Sequence, residues 1–173
     1  MSALTDFRAQ KDDYFRRAHE SPISPGDRAE FIGLGYYDED PSLNLDLEME
    51  PGDGSEVRVQ TSDGQERVYT RAGTVSFPVG GEVVTLTLYG AGHGHGYFLP
   101  FRDATSGKET YGAGRYLDIH PAERGKVKID FNLAYNPSCA YDDAYSCPLP
   151  PGENWLRVPI RAGEKDFKNA ISD

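Results

Sequence analysis

LNLDLEME, residues 43–50, decides the architecture. Leu43, Leu45, Leu47 and Met49 alternate with Asn44, Asp46, Glu48 and Glu50. A period of two sends successive side chains to opposite faces of a strand, so one face of this segment is apolar and the other charged. The pattern predicts a half-buried strand, and the same period recurs through the rest of the chain.

Downstream, Pro51-Gly52-Asp53-Gly54 reads as a turn, and Val57 and Val59 then alternate with Arg58 and Gln60. Ser62-Asp63-Gly64-Gln65 is a hairpin signal, because Asp-Gly accepts the positive φ of a tight turn. Val68 and Thr70 continue on the return strand. Val75, Phe77 and Val79 predict another strand, with Pro78 pointing to an edge or a bulge. After Gly80-Gly81 comes EVVTLTLY, residues 82–89, apolar at nearly every position, as a central strand requires. Further strands are expected at 97–101, 127–132 and 155–161. No helix follows each strand, which disfavours a doubly wound parallel sheet. The expected fold class is therefore all-β: an antiparallel sandwich or barrel within one domain spanning 1–173, its β core at about 42–161.

Upstream, residues 5–19 read as an amphipathic helix. Phe7, Tyr14, Phe15 and Ala18 fall on one face, while Asp12, Asp13, Arg16 and Arg17 lie mostly elsewhere, so docking through Phe7, Tyr14 and Phe15 is expected. Thr5 is the expected N-cap, Asp6 sits in the first turn, and Ser21-Pro22 ends the helix. A short helical turn is expected after Pro25-Gly26-Asp27, and a frayed tail at 168–173.

Charge narrows the partners. The net charge is −10, and Lys and Arg form no stripe. Binding to nucleic-acid phosphates needs a basic footprint, so neither nucleic acid nor an anionic membrane surface is an expected partner. Twelve Arg stand against six Lys among many carboxylates, a balance that suits a high-salt cytoplasm or plain solubility. No window reaches the ~18 consecutive apolar residues of a membrane span, and the N-terminus has no apolar stretch of signal type, so a cytoplasmic location is expected.

From Arg102 to Pro151 the alternation stops and polar and aromatic residues dominate. An irregular segment of this length is usually functional or disordered, and this one is too aromatic for disorder. A site, if present, is expected here, in a pocket built by residues 102–154. Asp103, Thr105, Ser106, Glu109, Tyr111 and Arg115 cluster among glycines. Either Asp103 and Arg115 form a buried ion pair, or Arg115 grips a carboxylate or phosphate of a ligand. Asp130 and Asn132 would share one face of the strand 127–132, with Tyr135 and Asn136 just beyond; they are site groups, or a solvated face followed by a turn.

His93 and His95, in Gly-His-Gly-His-Gly, are weak metal candidates, since the places where a cupin would supply a third ligand hold Leu99 and Pro100. A flexible loop tip is the alternative, and no metal or other cofactor is expected. Cys139 and Cys147 lack a second pair for a zinc site, so buried thiols or a local disulfide is expected rather than zinc or redox catalysis.

Four stretches carry a family resemblance. They are F-x-D-x-T-S-G-x-E-T-Y-G-x-G-R-Y (Phe101 to Tyr116), D-F-N-x-A-Y-N-P-x-C-A-Y (Asp130 to Tyr141), C-P-L-P-P-x-E-N (Cys147 to Asn154) and A-G-E-K (Ala162 to Lys165). Together with F-I-G-L-x-Y-Y (Phe31 to Tyr37), they resemble the family called domain of unknown function 1684, over roughly residues 7 to 167. The resemblance implies no activity and no catalytic residue. Three function classes fit the residues: a binder of a small, possibly anionic molecule, a small hydrolase-like or metal-dependent enzyme, and a structural or interaction protein.

Overall fold

In the computed structural model, residues 3–18, 21–23, 33–90, 96–121, 123–142 and 145–167 are described. The alternating stretch from Leu43 becomes two strands rather than one. Pro41–Leu43 forms a single 3₁₀ turn, with the Asp40 carboxylate accepting from Ser42 N at 3.0 Å. β1 (Asn44–Glu48) then pairs antiparallel with β8 (Lys126–Asp130), placing Leu45 opposite Ile129 and Leu47 opposite Val127. At Met49 the chain crosses to the other sheet, where β2 (Glu50–Pro51) pairs with Thr74 and Gly73. The crossing is tight: a Cβ on Gly73 would lie 2.6 Å from the Glu50 carbonyl oxygen and from Met49 Cγ.

The larger sheet is antiparallel throughout. β3 (Glu56–Gln60) and β2 both pair with β4 (Glu66–Val79), followed in order by β5 (Glu82–Gly90), β6 (Tyr97–Phe101) and β7 (Arg115–Ile119). The strands expected around Val68 and Val75 are one strand, β4, kept continuous by a register shift between Arg71 and Gly73. Gly80 and Gly81, at φ 58° and 85°, make the two-residue turn that joins β4 to β5. Pro78 lies beyond the reach of β2, on a stretch of β4 where a missing N–H costs no ladder bond.

Both sheets share one core. Val75, Phe77, Leu86, Leu88, Leu99, Phe101, Leu117 and Ile119 from the large sheet meet Val127, Ile129 and Phe131. The ring of Phe131 sits 5.4 Å from both Phe77 and Phe101. The sheets do not close into a barrel. Where a closing strand would run, the irregular segment supplies isolated bridges: Thr61 with Pro148, Arg102 with Trp155, and Tyr116 with Tyr135.

Three further expectations are corrected. Residues 155–161 form no strand, because the Asp103 carboxylate occupies a ladder position and accepts from Ile160 N at 2.5 Å. The strand expected at 127–132 ends at Asp130, which caps a 3₁₀ turn over Phe131–Leu133. The N-terminal helix α1 runs Ala3–Arg17, so Thr5 lies in its first turn rather than at its cap.

Helix docking differs as well. Only Phe15 of the three expected aromatics is buried; Phe7 and Tyr14 are 46% and 47% exposed. The docking stripe is Arg8, Lys11, Asp12 and Phe15, spaced three and four residues apart as one helical face requires. Arg8 Nη1 donates to Tyr37 O at 2.9 Å, Leu34 N donates to Asp12 Oδ1 at 3.0 Å, and Lys11 pairs with Glu164. Phe15 packs with Ile23, Leu34, Tyr141 and Phe167 in a second apolar cluster. The expected turn after Pro25-Gly26-Asp27 and the tail 168–173 lie outside the described residues.

Candidate functional site

The stretch from Asp103 to Arg115 folds into a buried polar hub. Arg115 begins β7 on its core-facing side and is 1% exposed. Its Nη1 donates to Ala162 O at 2.5 Å and Glu164 O at 3.2 Å, and its Nη2 donates to Ile160 O at 2.8 Å. The Asp103 carboxylate lies 3.5 Å from Nη2, and the guanidinium stacks 5.2 Å from the Phe101 ring centre. Burial pulls the Arg115 pKa down, and the charge of Asp103 opposes that pull.

Asp103 is fully employed. Its oxygens accept from Thr105 Oγ1 at 2.9 Å, from Ser106 Oγ at 3.3 Å and from Ile160 N. Asp103 N in turn donates to Ser106 Oγ at 3.1 Å. Of the two arrangements open to this stretch, the structure adopts the ion pair. Glu109 stands apart at the surface, where Tyr37 Oη donates to it at 2.9 Å and holds its carboxyl below the usual range. Tyr37 itself is pushed up to about 12, first by burial and then by Glu109. Tyr111 Oη meets Cys139 Sγ at 3.7 Å, away from Arg115.

Asp130, Asn132, Tyr135 and Asn136 do not share one face. Asp130 caps the turn, accepting from Asn132 N at 3.0 Å. Asn132 clamps residue 40, accepting from Asp40 N at 2.8 Å and donating to Asp40 O at 3.0 Å. Asn136 is buried beside Glu164, its N donating to Glu164 Oε1 at 3.0 Å. Asp130 is half-buried, and Tyr135 turns outward, its hydroxyl donating to Asp118 Oδ2 at 2.9 Å.

That outward face carries the most site-like feature. On the side of the large sheet away from the core, aromatic rings form a continuous row. Tyr69 of β4 lies 5.7 Å from Phe98 of β6, Phe98 lies 4.8 Å from Tyr116 of β7, and Tyr116 lies 5.8 Å from Tyr135. These rings floor a cleft of about 410 Å³, walled by Pro137, Ser138, Ser146, Cys147 and Pro148. Arg67 and Asp118 bring opposite charges to its lining. Arg67 Nη2 donates to Ser146 O at 2.7 Å, which ties the wall to β4. Burial raises the pKa of Tyr116 and of Tyr135, with Asp118 adding to the second, so both hydroxyls stay protonated donors. Such a surface can stack a planar group and orient its charge.

Cys147 also lines the cleft. Its Sγ accepts from Cys139 N at 3.2 Å; both cysteines are buried free thiols, and burial pushes the Cys147 thiol up to about 11. His93 and His95 lie outside the described residues. Among the described residues, no three His, Cys, Asp or Glu side chains converge as metal ligands.

A family model described as "Protein of unknown function (DUF1684)" matches residues 29–165. The chain belongs to this family. A solution NMR structure of an uncharacterized protein of Haloarcula marismortui is 38% identical and superposes with a TM-score of 0.72, covering 94% of this chain and 91% of that one. No curated protein matches. The match to the family model takes in the hub and every lining residue of the cleft, whereas α1 lies outside it.

Pattern reading passes over several members of these sites. Glu164 is 2% exposed and gathers Asn136, Tyr141 and Lys11; its only signal was its place in the A-G-E-K motif. Asn154, fully buried, accepts from Thr87 N at 2.8 Å and donates to Thr87 O and Pro100 O at 2.9 and 2.8 Å, stitching β5 to β6. Phe98 carries an alternation signal beside the buried Leu99, whereas Tyr69, between exposed Val68 and Thr70, and Arg67 carry none.

Proposed function

We propose that the chain is a small-molecule-binding β-protein whose aromatic cleft accepts a planar ligand bearing an anionic group. What supports this is the row Tyr69–Phe98–Tyr116–Tyr135 with Arg67 beside it: aromatic rings, packed partly edge to face, that a planar group can meet, and one cation in the same lining. Asp118 opposes a second anion and favours a ligand N–H, so an amphoteric ring fits better than a dianion. The same reading makes the two sheets layers of one sandwich. It also places the protein in the cytoplasm, without nucleic-acid or membrane partners. The net charge of −10 supports this. No helix among the described residues is long and apolar enough to cross a membrane.

Titration with benzoate and with indole-3-carboxylate, followed by ¹H–¹⁵N spectra and thermal shift, tests the reading. Saturable shifts at residues 67–69, 98 and 116–118 are expected. Arg67→Gln should weaken binding by roughly 10–100-fold, the value of a charge-assisted hydrogen bond. Shifts scattered over the surface, or unaltered by Arg67→Gln, would sink it.

A further inference from the structure

Beneath α1, the side chain of Lys11 enters a receptor that the rest of the fold builds without it. The acceptor is Glu164, whose Oε1 takes hydrogen bonds from Asn136 N at 3.0 Å and Tyr141 Oη at 3.1 Å, leaving Oε2 to meet the Lys11 ammonium. The Tyr135 ring centre lies 5.2 Å from Lys11 Nζ, and the Phe15 ring centre 5.6 Å. A carboxylate facing two aromatic rings is the chemistry that recognises an ammonium group.

Most of this receptor is fixed independently of the helix. Tyr135 is locked to β7 by paired backbone bonds to Tyr116 of 3.0 and 2.8 Å, and Glu164 O is gripped by Arg115. A hollow of about 530 Å³, lined by Phe7, Lys11, Leu133 and His120 among others, reaches the Lys11 side chain and the Tyr135 ring. Asn136 Oδ1 is buried without a hydrogen-bond partner, a second acceptor on the residue that positions Glu164. α1 closes the pocket with Phe15, its one buried aromatic, and is fastened by Arg8, Asp12 and the Lys11–Glu164 pair.

We propose that this pocket, with α1 in place over it, is a binding site for a primary alkylammonium group and that the Lys11 side chain is its internal occupant. The site shares Tyr135 and Asp118 with the aromatic cleft but takes its ligand on Glu164, which the cleft does not use, so it does not rest on the cleft binding a ligand. Lys11 is tethered, so its effective concentration at Glu164 is high, and removing its side chain should unmask the pocket.

The test uses the full chain carrying Lys11→Ala, titrated with n-propylammonium chloride. Tetramethylammonium chloride and sodium chloride at equal ionic strength serve as controls. Tetramethylammonium keeps the cation–π attraction but has no N–H for Glu164. The expected result is a saturable rise in Tm of several degrees with n-propylammonium alone, accompanied by a shift of the Asn136 amide. The unsubstituted chain should need at least tenfold more amine, and adding Glu164→Gln to Lys11→Ala should abolish the response. Equal effects of all three salts, or a response that survives Glu164→Gln, would overturn the proposal. If Lys11→Ala folds only when n-propylammonium is present, the site is supported; if it folds under no condition, the proposal fails.

Discussion

Replacing Arg115 by Lys keeps the charge and removes the fork. In the native protein one guanidinium serves the carbonyls of Ile160, Ala162 and Glu164 and faces Asp103, all in a region where Arg115 is 1% exposed. Nη1 and Nη2 approach these acceptors from two separate points. A lysine ammonium is a single point on a shorter reach and can hold only part of the set. At least two buried acceptors would then lose their donor, at about 1–3 kcal/mol each, so Arg115→Lys should cost about 2–6 kcal/mol. Arg115→Met should cost more, because it leaves the Asp103 carboxylate buried without its counter-charge, a loss of about 3–5 kcal/mol before the carbonyls are counted. Set against a typical domain stability of about 5–15 kcal/mol, Arg115→Met approaches global unfolding.

Urea denaturation measures both changes as a fall in midpoint at constant slope. The double variant Asp103→Asn with Arg115→Met should be less damaged than the sum of the single changes, because the stranded carboxylate is gone. A cost for Arg115→Lys below about 1 kcal/mol, or strict additivity in the cycle, would refute the hub as the fastening of the 160–164 run.

Asn154→Ala should cost about 2–5 kcal/mol, since Thr87 N–H and the carbonyls of Thr87 and Pro100 all lose a buried partner; a thermal or urea midpoint unchanged from the parent would contradict this. With its thiol pushed up to about 11 by burial, Cys147 should react with iodoacetamide at pH 8 at least tenfold more slowly in the native protein than in urea, as peptide mass spectrometry would read; equal rates would contradict this. Tyr37, raised from 10.0 to about 12, favours its neutral form in the native state, so the stability it contributes is complete below pH 10 and is lost as pH rises toward 12. Denaturation midpoints across that window should fall less in Tyr37→Phe than in the parent, and parallel profiles would remove Tyr37 as a cause.

Much of the fold was legible because strands advertise themselves by a period of two. Leu45 and Leu47 against Asp46 and Glu48, the Gly80-Gly81 turn and the apolar run of β5 all lie where that rule puts them. The rule failed where side chains replace ladder bonds. Residues 155–161 alternate no less plausibly, yet Asp103 and Asn154 supply what a neighbouring strand would have given. It failed again at α1, where the docking stripe includes Arg8, Lys11 and Asp12. Hydrophobic periodicity cannot find a face that docks through charge, because the partners, Glu164 above all, are distant in sequence. The site was half legible: segment 102–154 supplies Tyr116, Asp118, Tyr135 and the wall, but Arg67, Tyr69 and Phe98 come from strands that composition marks as scaffold.

β7 explains why one polar stretch holds both a scaffold and a surface. Its residues alternate, so Arg115, Leu117 and Ile119 turn to the core while Tyr116 and Asp118 turn to the cleft. Inward, Arg115 fixes the backbone at residues 160, 162 and 164. Outward, Tyr116 bonds the Pro148 carbonyl through its hydroxyl and pairs with Tyr135 through its backbone, which sets the cleft wall and floor together. Glu164 lies where these two fixings meet. Its backbone oxygen answers to Arg115, and its carboxylate meets the ammonium that stacks on Tyr135. A change in the 160–164 run therefore reaches the pocket under α1 through the main chain, whereas a change at exposed Asp118 acts through the Tyr135 hydroxyl and the linings it shares with that ring. Arg115 is thus a positioning residue for Glu164, while Tyr116 and Asp118, on the outer face of the same strand, line the cleft.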